Sequence, residues 1–181
     1  LTISSGDFAS TRKVIDTMTG YLQNGLFPNS IHLGHALFNS SDAPLWFIRT
    51  LQIWSEHDPS LDVWKSYKKP LKEILTSYRN GTSYEIRMDE NGLILPGEKE
   101  IPLTWMDAMI HGRPVTPRNG YAVEVNALWY NAVCQVLEWG ASDRRFISEW
   151  KPYRERIEKS FLSVFWDEEN GYLADHVHED Y

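Results

Sequence analysis

The chain has 181 residues, 42% apolar and 24% charged, a balance that suits one globular domain with a sizeable core and excludes both a disordered chain and two full domains. Eighteen basic residues against 25 acidic ones leave a formal charge of -7, which disfavours a nucleic-acid groove, and no apolar run approaches the roughly 18 residues of a membrane span. Neither nucleic acid nor membrane is therefore an expected partner. The single cysteine, Cys134, has no partner for an intrachain disulfide and reads as a small core residue, in keeping with a reducing, cytoplasmic setting. Eight Trp, nine Tyr and seven Phe are the compositional surprise, since flat rigid rings suit both a helical core and a sugar-binding cleft.

Five segments carry the helical period. Residues 7–22 set Phe8, Val14, Ile15, Met18 and Leu22 along one side before Gly25. Residues 42–57 open behind the cap candidates Ser40 and Ser41 and stop before Asp58-Pro59. A third segment, 61–78, carries the stripe Trp64, Tyr67, Leu71, Ile74 and Tyr78 and closes at Asn80-Gly81. The fourth, 124–139, is apolar through Val125, Leu128, Trp129, Ala132, Val133, Val136 and Leu137, and the fifth covers 143–165, where Pro152 marks either a kink or the first turn of a separate helix. Two small hairpins are predicted, one within 84–95 around Asn91-Gly92, with Ile86 and Met88 facing Leu93 and Leu95, and one at Asn170-Gly171. The stretch 96–121, with four prolines, is too long for an ordinary loop and marks either function or misassignment.

No glycine-rich phosphate loop, His-Glu-x-x-His pair, paired cysteines or calcium loop occurs, so no metal or cofactor is assigned. Four polar positions stand out. Asp42 heads a segment that is apolar round most of its circumference, and reads either as a first-turn carboxylate favoured by the helix dipole or as a carboxylate at the mouth of a cleft, with Asn39 able to stand beside it. Asn126 falls inside the apolar arc of the fourth helix, where a buried amide must bridge to a neighbouring element or face a polar pocket. Glu124 reads as a first-turn acid or as a neighbour of a hydroxyl-reading loop. Asp107 follows Leu103-Thr-Trp-Met, and a carboxyl packed against an indole is how a general acid acquires a raised pKa; the alternative is a surface aspartate beside a core tryptophan.

Four ordered blocks, Asp42-Ala-Pro-Leu-Trp46-Phe47, Leu103-Thr-Trp-Met-Asp107-Ala108, Val115-Thr-Pro-Arg118 and Ala122-Val-Glu124-Val-Asn126-Ala-Leu-Trp129-Tyr130-Asn131-Ala132, resemble the glucosidase domain of glycogen debranching enzymes, the amylo-alpha-1,6-glucosidase of bacterial and archaeal type. Looser similarity in 24–29 and 161–173 extends the resemblance over nearly the whole chain. It implies an all-α fold, part of an (α/α)6 toroid of twelve helices in alternating inner and outer layers, with one or two small β-hairpins in loops. Five helices make residues 1–181 a central slice, with the remainder missing at both ends and an open edge that favours self-association. The implied substrate is a branched alpha-glucan, hydrolysed at alpha-1,6 stubs with inversion. Asp107 matches the general acid. Asp42, Arg118, Glu124 and Asn126 match positions that bind sugar hydroxyls, with Trp46, Trp105 and Trp129 as walls or supports. The base is expected beyond Tyr181, so the chain alone is expected to be inactive. Met109 replaces a lysine common in relatives, and 173–177 departs from the family pattern. A glucoamylase-like or trehalase-like toroidal glycosidase, and a non-catalytic carbohydrate-binding helical domain, are the competing readings.

Overall fold

The computed structural model describes residues 1–32, 35–97 and 101–178. Five helices run in the order α1 (Phe8–Thr19), α2 (Ala43–His57), α3 (Val63–Asn80), α4 (Val123–Trp139) and α5 (Arg144–Phe165), each starting close to its predicted position, although α1 stops at Thr19, short of the expected 22. Asp7, Asp62 and Asp143 accept from the backbone N–H groups of Ser10, Lys65 and Phe146 at 3.1, 2.9 and 3.1 Å, caps that contribute about 1 kcal/mol each. In α2 the hydroxyl of Ser40 takes this role, accepting from Ala43 N–H at 3.2 Å, while Pro44 occupies the first turn, where its missing N–H costs nothing. Pro152 does not restart the fifth helix, which continues through it.

Helices α2 and α4 lie side by side; α3 packs on both, and α5 packs on α4. Their contact seals Leu45, Ile48, Leu51 and Trp54 of α2, Leu71, Ile74 and Tyr78 of α3, and Val125, Trp129, Val133 and Val136 of α4. Each buried aliphatic side chain contributes about 1.5–3 kcal/mol of transfer free energy. The Tyr78 ring stacks on Trp129 with centroids 5.7 Å apart, and Trp150 of α5 meets the same indole edge-on at 6.2 Å. Helix α1 is tied on by Tyr67 of α3, whose hydroxyl donates to Asp16 Oδ1 at 2.9 Å. The turn after α1 runs so close to α3 that a Cβ on Gly25, at φ +78°, would lie 2.4 Å from the Cβ of Ser77, which only glycine tolerates.

The loops hold more pairing than the one or two hairpins expected. Among the described residues there are five antiparallel two-stranded pairs: β1 (Ser30–His32) with β2 (His35–Leu37), β3 (Arg87–Met88) with β4 (Ile94–Leu95), β5 (Met109–Ile110) with β6 (Arg113–Pro114), β8 (Trp166–Asp167) with β9 (Tyr172–Leu173), and β7 (Tyr121–Ala122) with β10 (His176–Val177). The hairpins around Asn91-Gly92 and Asn170-Gly171 are those predicted, but Met88 pairs with Ile94 and Arg87 with Leu95, so Ile86 and Leu93 fall outside the ladder. The stretch 96–121 is not structureless. Its hairpin turns at His111 and Gly112, both at positive φ, a turn that a His-Gly pair signals less clearly than Asn-Gly does.

Asn126 bridges to a neighbouring element. Its side chain, with no solvent exposure, accepts from Ile94 N–H at 2.6 Å and donates to the carbonyls of Ile94 and Ala122, both at 3.1 Å, locking β4 to the start of α4. Among the described residues no helix is long and apolar enough to cross a membrane.

Replacing Asn126 by Leu strands the buried amide and carbonyl of Ile94, and chemical denaturation is expected to register a loss of about 2–4 kcal/mol. A second expectation concerns alkaline pH. Burial, reinforced by the hydrogen bond to Asp16, pushes the Tyr67 phenol from 10.0 up to about 12. The folded chain thus keeps a proton that the unfolded chain releases first, so stability falls as pH rises from about 10 to about 12. Tyr67→Phe is expected to flatten that part of a melting-temperature profile, leaving the slope that the still more deeply buried Tyr78 supplies.

Candidate active site

The N-terminus of α2 forms one rim of a cleft of about 440 Å³. Asp42 sits there at the cap position, largely buried, but its side chain makes no cap; instead Ser40 Oγ donates to Asp42 Oδ1 at 2.5 Å. The serine hydroxyl thereby joins the first free N–H of the helix to the carboxylate, which also sits in the favourable field of the helix N-terminus. One turn further, Trp46 projects its indole into the cleft and remains 53% exposed, beside Thr50. Helix α1 supplies an apolar wall through Val14 and Met18, and Asn29 closes the end before β1.

The segment leading to β5 also lines the cleft, through Thr104, Trp105 and Asp107. Leu103 and Thr104 are buried, whereas Trp105 is 63% exposed and Asp107 is exposed with no hydrogen bond among the described residues. Asp107 is thus a surface aspartate, as one reading of the sequence had it, but the tryptophan beside it is exposed rather than in the core, and the indole-packed setting of the other reading is not formed among the described residues. The aromatic surplus divides accordingly: Trp54, Trp129 and Trp150 serve the core, Trp46 and Trp105 the cleft.

Arg118, Glu124, Asn126 and Trp129 lie outside this cleft. Arg118 grips Glu124 with both terminal nitrogens in a two-pronged ion pair and reaches Asp175 through its carbonyl at 3.0 Å and its Oδ1 at 3.1 Å. These carboxylates hold the guanidinium even more firmly protonated than usual, with Glu124 the larger cause. Its side chain is 4% exposed, and Nε is buried without a partner. A void of about 10 Å³ separates Arg118 from Leu103, Thr104 and Met106, and Thr104 lines both this void and the cleft, so the two regions adjoin. Glu124 is a first-turn acid of α4, as one reading of the sequence had it, but paired. His176 Nε2 meets the carbonyl of Asn119 at 2.5 Å, and the β7–β10 pairing binds the same loop to the chain's far end. Asn126 and Trp129 have no exposed surface; the Trp129 indole N–H donates to the Gly92 carbonyl at 3.0 Å. With every polar atom engaged, they act beneath the site.

Of the eight residues that sequence reasoning assigned to one site, the structure brings Asp42, Trp46, Trp105 and Asp107 to the cleft and leaves Arg118, Glu124, Asn126 and Trp129 outside it. That reasoning missed Thr104, Thr50, Asn29 and the α1 wall, for which no local pattern exists. Ser40 carried a signal as a cap candidate but not as a carboxylate partner. Asn39, expected beside Asp42, is absent from the cleft lining and leaves its Oδ1 buried and unpaired. No cluster of three or more His, Cys, Asp or Glu among the described residues could hold a metal ion.

Two carboxylates and two exposed indoles facing one cleft on a helical body fit the class of glycosidase helical domains. The chain belongs to the amylo-alpha-1,6-glucosidase family, whose model matches residues 1–181, the whole chain, and which is a family of glycoside hydrolases of the glycogen-debranching type. A search among curated proteins returns no match.

The Arg118 fork is testable through a change that keeps its charge. Lysine cannot reproduce two parallel bonds to Glu124 while also reaching Asp175, so Arg118→Lys is expected to destabilise the fold by about 1–3 kcal/mol in urea denaturation.

Proposed function

We propose that this chain is the central part of an (α/α)6 glucosidase domain that hydrolyses alpha-1,6-glucosidic branch stubs of glycogen-like glucans with inversion. What carries the reading is that Asp42 and Asp107 share one open cleft with the exposed indoles of Trp46 and Trp105. Indole faces suit the apolar faces of sugar rings, and carboxylates suit hydroxyls and a glycosidic oxygen.

Asp107 acts as general acid. Its carboxyl donates a proton to the glycosidic oxygen as the bond from C1 to that oxygen breaks, while a carboxylate outside residues 1–181 removes a proton from the water attacking C1 on the opposite face. Acid and base then stand about 6.5–9.5 Å apart, leaving room for that water. Asp42, held by Ser40, accepts hydrogen bonds from hydroxyls of the cleaved glucose. Arg118 and Glu124 support the loop between the acid segment and α4, and reach sugar only where their ion pair opens. The exposure of Asp107 fits a partial site, since the missing helices of the toroid would close the cleft and supply the desolvation that strengthens an acid's function. The exposed Leu162, Trp166, Tyr172 and Leu173 around the β8–β9 hairpin fit an edge that packs against further helices or, in their absence, against a second copy.

In the full-length enzyme, Asp107→Asn is expected to lower kcat by about 10² to 10⁴-fold with substrate binding little changed, since a general acid contributes on that scale. Asp42→Asn is expected to raise KM along with any rate loss, because hydroxyl contacts serve ground and transition states alike. Glucose release from a singly branched alpha-1,6-glucosyl oligosaccharide is the assay. Near-normal turnover by the Asp107 variant, or by the 181-residue chain alone, would overturn the assignment.

A further inference from the structure

Ser41 is fully buried and makes a contact that no helix cap requires. Its Oγ and its backbone N–H both donate to the carbonyl of Leu103, each at 2.7 Å, across 62 positions of sequence. The Ser41 hydroxyl is free for this because the Ser40 hydroxyl already serves the first N–H of α2. On the other side, the Ser41 carbonyl accepts from the hydroxyl of Tyr78 at 2.8 Å, and Tyr78 is itself fully buried against Trp129. Asp42 follows Ser41 directly, and Asp107 lies four residues beyond Leu103. The paired bonds thus join the segment that carries Asp42 to the segment that carries Asp107. Among the described residues, the remaining hydrogen bond within 101–107 is internal, from Met106 N–H to Thr104 Oγ1 at 3.4 Å.

We propose that Ser41 is a positioning residue: its double grip on the Leu103 carbonyl, braced by Tyr78, sets the separation of Asp42 and Asp107 across the cleft. The proposal rests on Asp107 being the acid. One hydrogen bond fixes a carbonyl's distance, while two donors from one residue also fix its direction, and the peptide that follows sets the course of the chain toward Asp107. Removing the hydroxyl leaves the backbone bond in place, so the fold persists while the acid-bearing segment gains angular freedom. A misplacement of about 1 Å at a reacting group can cost on the order of 10²-fold in rate.

Two measurements separate this idea from the function on which it rests. In the full-length enzyme, Ser41→Ala is expected to lower kcat about ten- to hundredfold with KM within about twofold, and Tyr78→Phe, which removes the brace without touching Ser41, to lower kcat in the same direction by less. In the 181-residue chain labelled with 5-fluorotryptophan, the Trp105 fluorine signal, assigned with Trp105→Phe, is expected to shift or broaden in Ser41→Ala while those of Trp54 and Trp150 stay in place. Unchanged kcat in Ser41→Ala, where Asp107→Asn is inactive, overturns the positioning role. So does a Trp105 signal that does not move, or one that moves only together with every other tryptophan. If the unaltered full-length enzyme releases no glucose, the glucosidase reading fails and the Trp105 signal alone decides whether Ser41 sets the segment.

Discussion

The hydroxyl of Tyr78 donates to the carbonyl of Ser41 from a ring that touches no solvent and lies stacked on Trp129, and this contact joins the helical core to the cleft. Tyr78 comes from α3, Trp129 from α4 and Ser41 from the turn that launches α2, so three elements meet at one side chain. Burial, and after it the negative charge of Asp42, push the phenol well above its ordinary pKa. The shift favours the neutral phenol, which is the form that donates to Ser41. A buried hydroxyl left without an acceptor costs about 1–3 kcal/mol, so the packing of α3 favours this position of Ser41.

Around that point the polar groups sort into two tasks. Asn126, Trp129 and the Arg118–Glu124 fork spend their hydrogen bonds on protein, fastening β4, the turn at Gly92 and the chain's far end to the N-terminal half of α4. Asp42, Thr104 and Asp107 line the cleft, where, among the described residues, Asp42 alone of the three has a close side-chain partner. Structure-building amides and ion pairs thus surround a smaller group with capacity to spare for a ligand, as expected where a rigid scaffold presents its reactive groups on loops and helix ends.

Trp46 and Trp105 line the cleft from two different elements, one on a helix and one on a loop. The helical indole is held by the backbone of α2, whose buried face of Leu45, Phe47 and Ile48 cannot rotate without opening the core. The loop indole depends on the anchoring of Leu103 and Thr104. A pair built in this way has one fixed wall and one wall whose position depends on a few hydrogen bonds.

The five helices were legible because their information is local. Asp7, Asp62 and Asp143 cap the N–H groups a turn ahead, glycines and prolines mark the ends, and apolar residues recur at the helical period, so neighbours in sequence carry both signal and response. The cleft membership of Asp42, Trp46, Trp105 and Asp107 was legible through motif resemblance. The β5–β6 hairpin and the β1–β2 and β7–β10 pairings were not, since two- and three-residue ladders carry almost no periodicity. Nor could the sequence divide the readings of Asn126 and Glu124. An amide in an apolar arc announces that a partner exists, but Ile94 lies 32 residues away, and a first-turn acid gives no sign of an arginine fork that also reaches Asp175. Ser41 is the sharpest case. As a serine before a helix it promises a cap, yet Ser40 takes the cap and Ser41 turns to a carbonyl 62 positions on. The sequence by itself determined where the helices begin and end and which side chains are apolar; the tertiary structure decided which polar atoms meet, because hydrogen bonds between distant segments depend on distances that appear only once the helices have packed.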